Sequence, residues 1–440
     1  MSVNLGFLAF TTLLSAWAWK RDKGSLLSVS LLTWVAIALS LALHPVRLAP
    51  VTAQAAIIVG VGLVAMTVPV LRRRQRSGLG SVDQGDGRVA FTQLVIATAL
   101  TLAMVGGGVY AFHSGVASAT GSSFGQLTIQ QVRTAQTGSA RGGGLVALLA
   151  AADPILACLG VYGAIRYSRA WVALVIVALL ASLQTPARLM TIMLIVQTVV
   201  FYLYCRAVVP RRRGAAAPSE AHHPPMLMMA GGVGVALTIF SYIGSKLGKT
   251  SLVSSYFPEF RWPSWILSVI LYGTGGPSAL STALRENVDP TEHPNSIFTL
   301  TKLFSLFDPS YKPPDTLASY VPIPIPFNVY TGFGQIYFDF GLFGVIVLAF
   351  ILGWAAVSAH RRAQEGYIEW AWVASVLATS LLTLPQTYRL FFLDVDFQLV
   401  VGFAIFWAIR RGRKNGVIHV PEAGVVGFGS EVAQRTGRAL

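Results

Sequence analysis

The sequence predicts an all-α polytopic membrane protein that crosses the bilayer about 11 times and carries one large extracytoplasmic loop. Three observations lead there. Of the 440 residues, 54% are hydrophobic and only 12% are charged, where soluble domains carry about a quarter. The polar residues collect between long apolar stretches rather than alternating with them. That pattern suits a chain whose backbone must satisfy itself inside helices because its solvent is lipid. Finally, short basic runs flank the apolar segments on one side of the expected topology.

Taken in order, the expected spans are Leu5–Trp19, Leu26–Leu43, Val51–Leu71, Ala90–Phe112, Leu145–Ile165, Ala170–Leu183, Leu189–Ala207, Met226–Ile243, Gly341–Ala359, Ile368–Leu384 and Phe391–Ile409. Several fall short of the roughly 20 residues a typical bilayer core requires, and the sixth carries the weakest signal. The first lacks both a preceding basic run and a following small-residue cleavage site, so it reads as a retained helix rather than a signal peptide. Cys158 and Cys205 both lie inside apolar segments, which argues against a disulfide.

The basic clusters give the orientation. They are Lys20, Arg21 and Lys23; Arg72, Arg73, Arg74 and Arg76; Arg166 with Arg169; Arg211–Arg213; Arg361 with Arg362; and Arg410, Arg411, Arg413 and Lys414. With alternating spans all fall on one side, which is then cytoplasmic, leaving the N-terminus outside and the C-terminus inside. The excess of 33 basic over 18 acidic residues is thereby a matter of topology, and no nucleic-acid partner is expected.

Residues 1–210 thus hold seven spans. Residues 211–225, with Gly214, Ala215–Ala217 and the Pro224–Pro225 pair, read as a cytoplasmic linker. Residues 226–411 hold four more spans and the large outer loop 244–328, and residues 412–440 read as a disordered cytoplasmic tail. No internal repeat stands out. Two outer segments are long: His113–Gly144, rich in Ser, Thr, Gly and Ala, and Gly244–Asn328, which holds half of the chain's 22 prolines. The aromatic and apolar residues of the second, including Tyr256, Phe257, Phe260, Trp262 and Trp265, predict short helices lying on the membrane surface.

No P-loop, zinc helix or dinucleotide fingerprint is present, so chemistry must be sought among polar groups at the membrane surface. Arg188, in Thr185-Pro186-Ala187-Arg188, and Arg389, in Pro385-Gln386-Thr387-Tyr388-Arg389, stand at outer mouths against the positive-inside trend. Each is suited to grip a phosphate through its donor fork, or to snorkel to headgroups. Lys246 and Lys249 open the large loop and could serve a second phosphate or anchor a helix end. Asp339, before the ninth span, is a candidate general base, but the residue alone favours a helix cap.

Asp394-Val395-Asp396 has the form of a divalent-cation pair, but so short a motif arises easily by chance, and neither a metal nor a cofactor is expected. Asp153, inside the fifth span, needs a polar partner. Glu292 and His293 are weaker acid–base candidates. Trp262, Trp265, Tyr272 and Tyr330 could stack on sugar rings or form an interfacial aromatic belt.

The stretch Asn328-Val-Tyr330-Thr-Gly-Phe-Gly-Gln-Ile-Tyr337-Phe-Asp339-Phe-Gly341-Leu-Phe-Gly344 resembles bacterial oligosaccharide repeat-unit polymerases of the O-antigen polymerase and ligase group. In that family an Asn-x-Tyr-Thr closes the large outer loop and a Tyr-x-Asp-Phe-Gly-x-x-Gly opens the next span. Tyr272-Gly-Thr-Gly-Gly-Pro277-Ser-Ala279-Leu280 is similar to the family's Gly-Pro segment, and Arg188 and Arg389 match arginines of a mid-chain span and of the last outer loop. The likeness is dense over residues 272–353 and architectural elsewhere.

The resemblance implies a GT-C-like glycosyltransferase of the bacterial cytoplasmic membrane. Such a polymerase moves a growing glycan from undecaprenyl pyrophosphate onto a lipid-linked repeat unit on the outer side. It further implies Arg188 and Arg389, with Lys246 and Lys249, as pyrophosphate ligands and Asp339 as base. Tyr272, Asn328, Tyr330 and Tyr337 would border the substrate. The expected partners are the undecaprenyl-pyrophosphate-linked oligosaccharide and the lipid bilayer, with a chain-length regulator as a further candidate. The competing readings are an O-antigen ligase, a lipid-linked sugar transferase of the same fold, and a transporter or flippase of lipid-linked glycans.

Overall fold

The structure, a computed structural model, describes residues 2–22, 25–43, 46–71, 87–121, 127, 144–184, 188–208, 255–260, 263–288, 295–308, 310–311 and 319–415. Its first four helices are α1 (Ser2–Arg21), α2 (Leu26–Leu43), α3 (Ala53–Leu71) and α4 (Gly87–Thr120). A 3-10 segment, Gly144–Ala152, leads directly into α5 (Asp153–Arg166), followed by α6 (Val172–Leu183) and α7 (Arg188–Val208). Then come α8 (Ser264–Glu286), α9 (Phe298–Phe307), a two-residue antiparallel ladder of β1 (Val321–Pro322) and β2 (Pro326–Phe327), and α10 (Gly332–Gln364), α11 (Ile368–Thr383) and α12 (Leu393–Asn415).

Apolar residues occupy both faces of these helices. In α3, Ile58, Val59, Leu63, Met66 and Val70 are buried, while Ile57, Val64, Val68 and Leu71 of the same helix are exposed. A helix apolar all round suits the core of a large protein or a membrane span. Five helical stretches are long and apolar enough to cross a membrane: Leu26–Leu43, Ala53–Leu71, Phe91–Thr120, Leu148–Arg166 and Gly332–Gln364. Three shorter apolar helices, Arg169–Leu183, Met190–Arg206 and Ile368–Thr383, accompany them.

The fold is therefore all-α with five stretches long and apolar enough to cross a membrane, but eleven full-length spans are not found among the described residues. The eighth expected span, the 211–225 linker, the Arg72–Arg76 cluster and the tail beyond residue 415 lie outside them. Helix α12 occupies the place of the last expected span with Asp394 and Asp396 in its first turn and Arg410 and Arg411 near its end, which dilutes its apolar character.

Two expectations about the outer segments are corrected. Helix α4 runs on to Thr120, past the expected boundary at Phe112. The Gly244–Asn328 loop is more than short surface helices, because α8 is a full helix of 23 residues. From Thr274 to Ala283 every residue of α8 is buried, and the helix packs against α2 and α3. Within it, Ser281 Oγ donates to Pro277 O (2.8 Å), and Thr52 N donates back to Ser281 Oγ (3.0 Å). Around α8 the loop builds its own apolar core from Leu267, Leu271, Ala279, Ala283, Val321, Ile323, Ile325, Phe327 and Tyr330, with Val46.

Helix α10 is two helices in one. At Gly341 the backbone turns to φ 64°, ψ −166°, a conformation essentially restricted to glycine. This separates a half-helix, 332–340, from the long apolar stretch beyond. Thr331 caps the half-helix, its Oγ1 accepting from Gly334 N at 2.9 Å. It does so at φ 66°, uncommon for a β-branched residue and costly by about 1–3 kcal/mol. The surroundings hold it there: Gly332 N donates to Leu384 O (2.7 Å), and Gly276 of α8 packs so closely against Thr331 and the carbonyl of Pro385 that a Cβ would strike both.

At the opposite end of the bundle, Arg410 of α12 pairs with Glu369 of α11 at 2.9 Å, with Glu369 only 1% exposed. The guanidinium also rests 4.8 Å from the Tyr367 ring centroid. Tyr204 of α7 meets His360 of α10 by a hydroxyl–Nδ1 hydrogen bond at the same end, where Arg361, Arg362 and Arg411 also stand. Removing one partner of a buried ion pair leaves the other charge in a low dielectric. Arg410→Met is therefore expected to destabilise the protein by about 3 kcal/mol, read as a lowered Tm in detergent.

A candidate functional site where three segments meet

Two segments that carried the resemblance, residues 272–280 and 328–344, meet the turn 385–389, which bears Arg389, at one end of the bundle. Gly276 touches Thr331 and Pro385. Gln335, on the half-helix, accepts from Thr387 Oγ1 (3.1 Å) and from Tyr388 N (2.8 Å), fixing the α11–α12 turn from one side. The turn is fixed from the other side by α9: Thr299 N and Oγ1 both donate to Phe391 O (2.9 and 3.0 Å). Phe298 stacks on Phe392 at 5.6 Å between centroids.

Arg389 emerges from this turn. Its Nη2 lies 2.6 Å from Asp394 Oδ2, with the two side chains 13% and 17% exposed. Its guanidinium carbon sits 4.9 Å from the Phe392 ring centroid, while its Nε is buried without a hydrogen-bond acceptor. A partly buried ion pair feels a lower dielectric than a surface pair, and a guanidinium with an unused donor retains capacity for a second anion. Next to it, Tyr388 is 1% exposed. Its hydroxyl is buried without a partner, and burial pushes its ionisation well above the usual tyrosine range.

Further carboxylates border this pair. Asp396 lies against Thr299 and Asp394. Asp153, at the start of α5 and 6% exposed, hydrogen-bonds with Ser182 and lies within electrostatic range of Asp394. Ser182 is thus the polar partner that Asp153 was expected to need. Ser182 Oγ also meets Thr191 Oγ1 at 3.0 Å. Thr191 is in the first turn of α7, the helix that opens with Arg188, so Arg188 starts its helix at this same end; its side chain is outside the described residues.

Asp339 has a definite structural role. Its Oδ2 accepts from Asn295 N (2.9 Å), Ser296 N (2.6 Å) and Ser296 Oγ (2.5 Å). These are the donors just ahead of α9, so Asp339 caps that helix from outside rather than capping α10, whose cap is Thr331. An oxygen holding three donors is poorly placed to take a proton from a substrate hydroxyl.

Tyr330 is corrected as a sugar platform. It is fully buried in the loop's own core, donates its hydroxyl to Ser319 O, and burial pushes its ionisation to about 12. Tyr337 is half-buried, edge-on to Phe338 at 6.0 Å, and Tyr272 and Asn328 are also half-buried. Lys246, Lys249, Trp262, Glu292 and His293 lie outside the described residues, as does the Trp265 side chain. Asp394 of the Asp-x-Asp pair is bound to Arg389.

Sequence reasoning missed Ser296, Thr299 and Gln335. For the first two a signal existed: the polar pair Asn295-Ser296 precedes the apolar run 297–307, as at a helix start. For Gln335 there was none. No known protein family, no curated protein and no solved structure matches this chain.

Proposed function

We propose that the chain is an oligosaccharide repeat-unit polymerase. It transfers a growing glycan from undecaprenyl pyrophosphate to a lipid-linked repeat unit at the outer surface of the bacterial cytoplasmic membrane, with the site above facing outward. The observation that carries the reading is the convergence of two segments sharing the family's pattern, 272–280 and 328–344, onto the turn that bears one half-buried arginine, Arg389, beside long apolar helices. A pyrophosphate is a good leaving group already, so the protein must chiefly stabilise the charge that develops on it and accept the acceptor's proton. Arg389 meets the first need from a region of low dielectric, with Arg188 as its counterpart at the start of α7. The apolar, outward-facing helices leave the lipid tail in the bilayer while the pyrophosphate reaches the arginine.

The test is reconstitution in liposomes with a lipid-pyrophosphate-linked repeat unit, with products resolved by size. A ladder of longer lipid-linked glycans, absent from protein-free liposomes, is the expected result. Movement of the intact lipid-linked glycan across the bilayer without a ladder would replace the polymerase with a transporter.

A further inference from the structure

The role of base is left open, because Asp339 is committed to the amides ahead of α9. Asp153 is 6% exposed and tied to Ser182. Asp394 differs from both. It sits at the mouth of the site, 17% exposed, and its Oδ2 is held by Arg389, the same side chain that the polymerase reading assigns to the pyrophosphate.

Resting on that reading, we propose that Asp394 is the general base and that Arg389 keeps it out of use until the donor's pyrophosphate takes the guanidinium over. The pair is an exchangeable latch. The guanidinium spends Nη2 on the carboxylate and keeps an unused Nε donor, so it has capacity for a second anion as the ion pair opens. Once Arg389 turns to the pyrophosphate, Asp394 is left beside Asp153 and Asp396 without its cation. The buried, unpartnered Tyr388 hydroxyl lies on the same side, within electrostatic range of Asp396.

The transfer then balances simply. The acceptor hydroxyl oxygen forms a bond to the donor's anomeric carbon. The bond from that carbon to the phosphate oxygen breaks, its electron pair leaving on the pyrophosphate held by Arg389, and the hydroxyl proton passes to Asp394. Donor binding and acceptor activation are coupled, so water is not activated while the donor is absent.

The experiment measures binding of undecaprenyl pyrophosphate, which carries no sugar to transfer, to the full chain in nanodiscs, beside ladder formation. Asp394→Asn removes the competing charge and is expected to bind the lipid pyrophosphate about fivefold tighter. The same variant is expected to polymerise about a hundredfold more slowly. Asp394→Glu, which keeps both the ion pair and the basic group, is expected to retain a measurable ladder. If Asp394→Asn loses binding, as Arg389→Ala is expected to, then Asp394 only positions the arginine and the latch is overturned. Wild-type ladder formation by Asp394→Asn overturns the base. If the wild type fails to bind undecaprenyl pyrophosphate at all, it is the polymerase reading that falls, with the latch after it.

Discussion

Replacing Arg389 by alanine is expected to lower the initial rate of ladder formation by about a thousandfold, the scale on which removing a preorganised charge partner from a developing anion acts. The guanidinium is fixed by Asp394 at 2.6 Å and by the Phe392 ring, on a turn pinned from both sides by Gln335 and Thr299. It is thus held on a fixed turn before substrate arrives, and exchanges only its anionic partner when the donor binds. Arg389→Lys keeps the charge but loses the fork and the ring contact, so its rate is expected to fall by about tenfold to a hundredfold. Rates are compared on preparations with matching size-exclusion profiles. A wild-type rate in Arg389→Ala would remove the arginine from the site.

The second large effect is at Asp339, where two substitutions separate a cap from a base. Asp339→Ala releases the donors of Asn295 and Ser296. Hydrogen bonds to a charged acceptor contribute about 1.5–3 kcal/mol each. The start of α9 should therefore come loose, with faster proteolysis in residues 295–308 and a ladder reduced by about a hundredfold, since α9 also holds Phe391 through Thr299. Asp339→Asn retains an acceptor oxygen and is expected to keep the ladder within about tenfold of wild type. A true base would show the opposite pattern, with Asn as damaging as Ala and the loop intact in both.

The helical stretches were legible because hydropathy dominates in long apolar runs: α2, α7 and α11 fall within a residue or so of their expected bounds. Helix α8 was not legible as a full helix. Its Gly-Thr-Gly-Gly-Pro run has poor intrinsic helix propensity, and what makes it helical is packing, since those small residues let α8 approach Phe327, Thr331 and Pro385. Arg389 stood out because a cation at an outer mouth opposes the charge bias. Its partner Asp394 stood out for another reason, as half of an Asp-x-Asp. That the two form one ion pair depends on how the α11–α12 turn folds back, which no local pattern encodes. Asp339 was visible as a polar residue in an aromatic run, while its three donors lie 43 and 44 positions away and are brought to it by the fold of the loop.

The seating of Gly276 against Thr331 and Pro385 sets an order on biogenesis. Pro385 follows α11, so it leaves the ribosome long after α8 does. Until then the loop is made without the surface that completes it. Its own apolar core around Leu271, Ile323 and Phe327 can form early, whereas the arginine-bearing turn closes over it last. A nascent chain arrested before α11 should accordingly carry a collapsed but unlocked loop. The arginine is thus delivered by the same event that seats Gly276 against the α11–α12 turn.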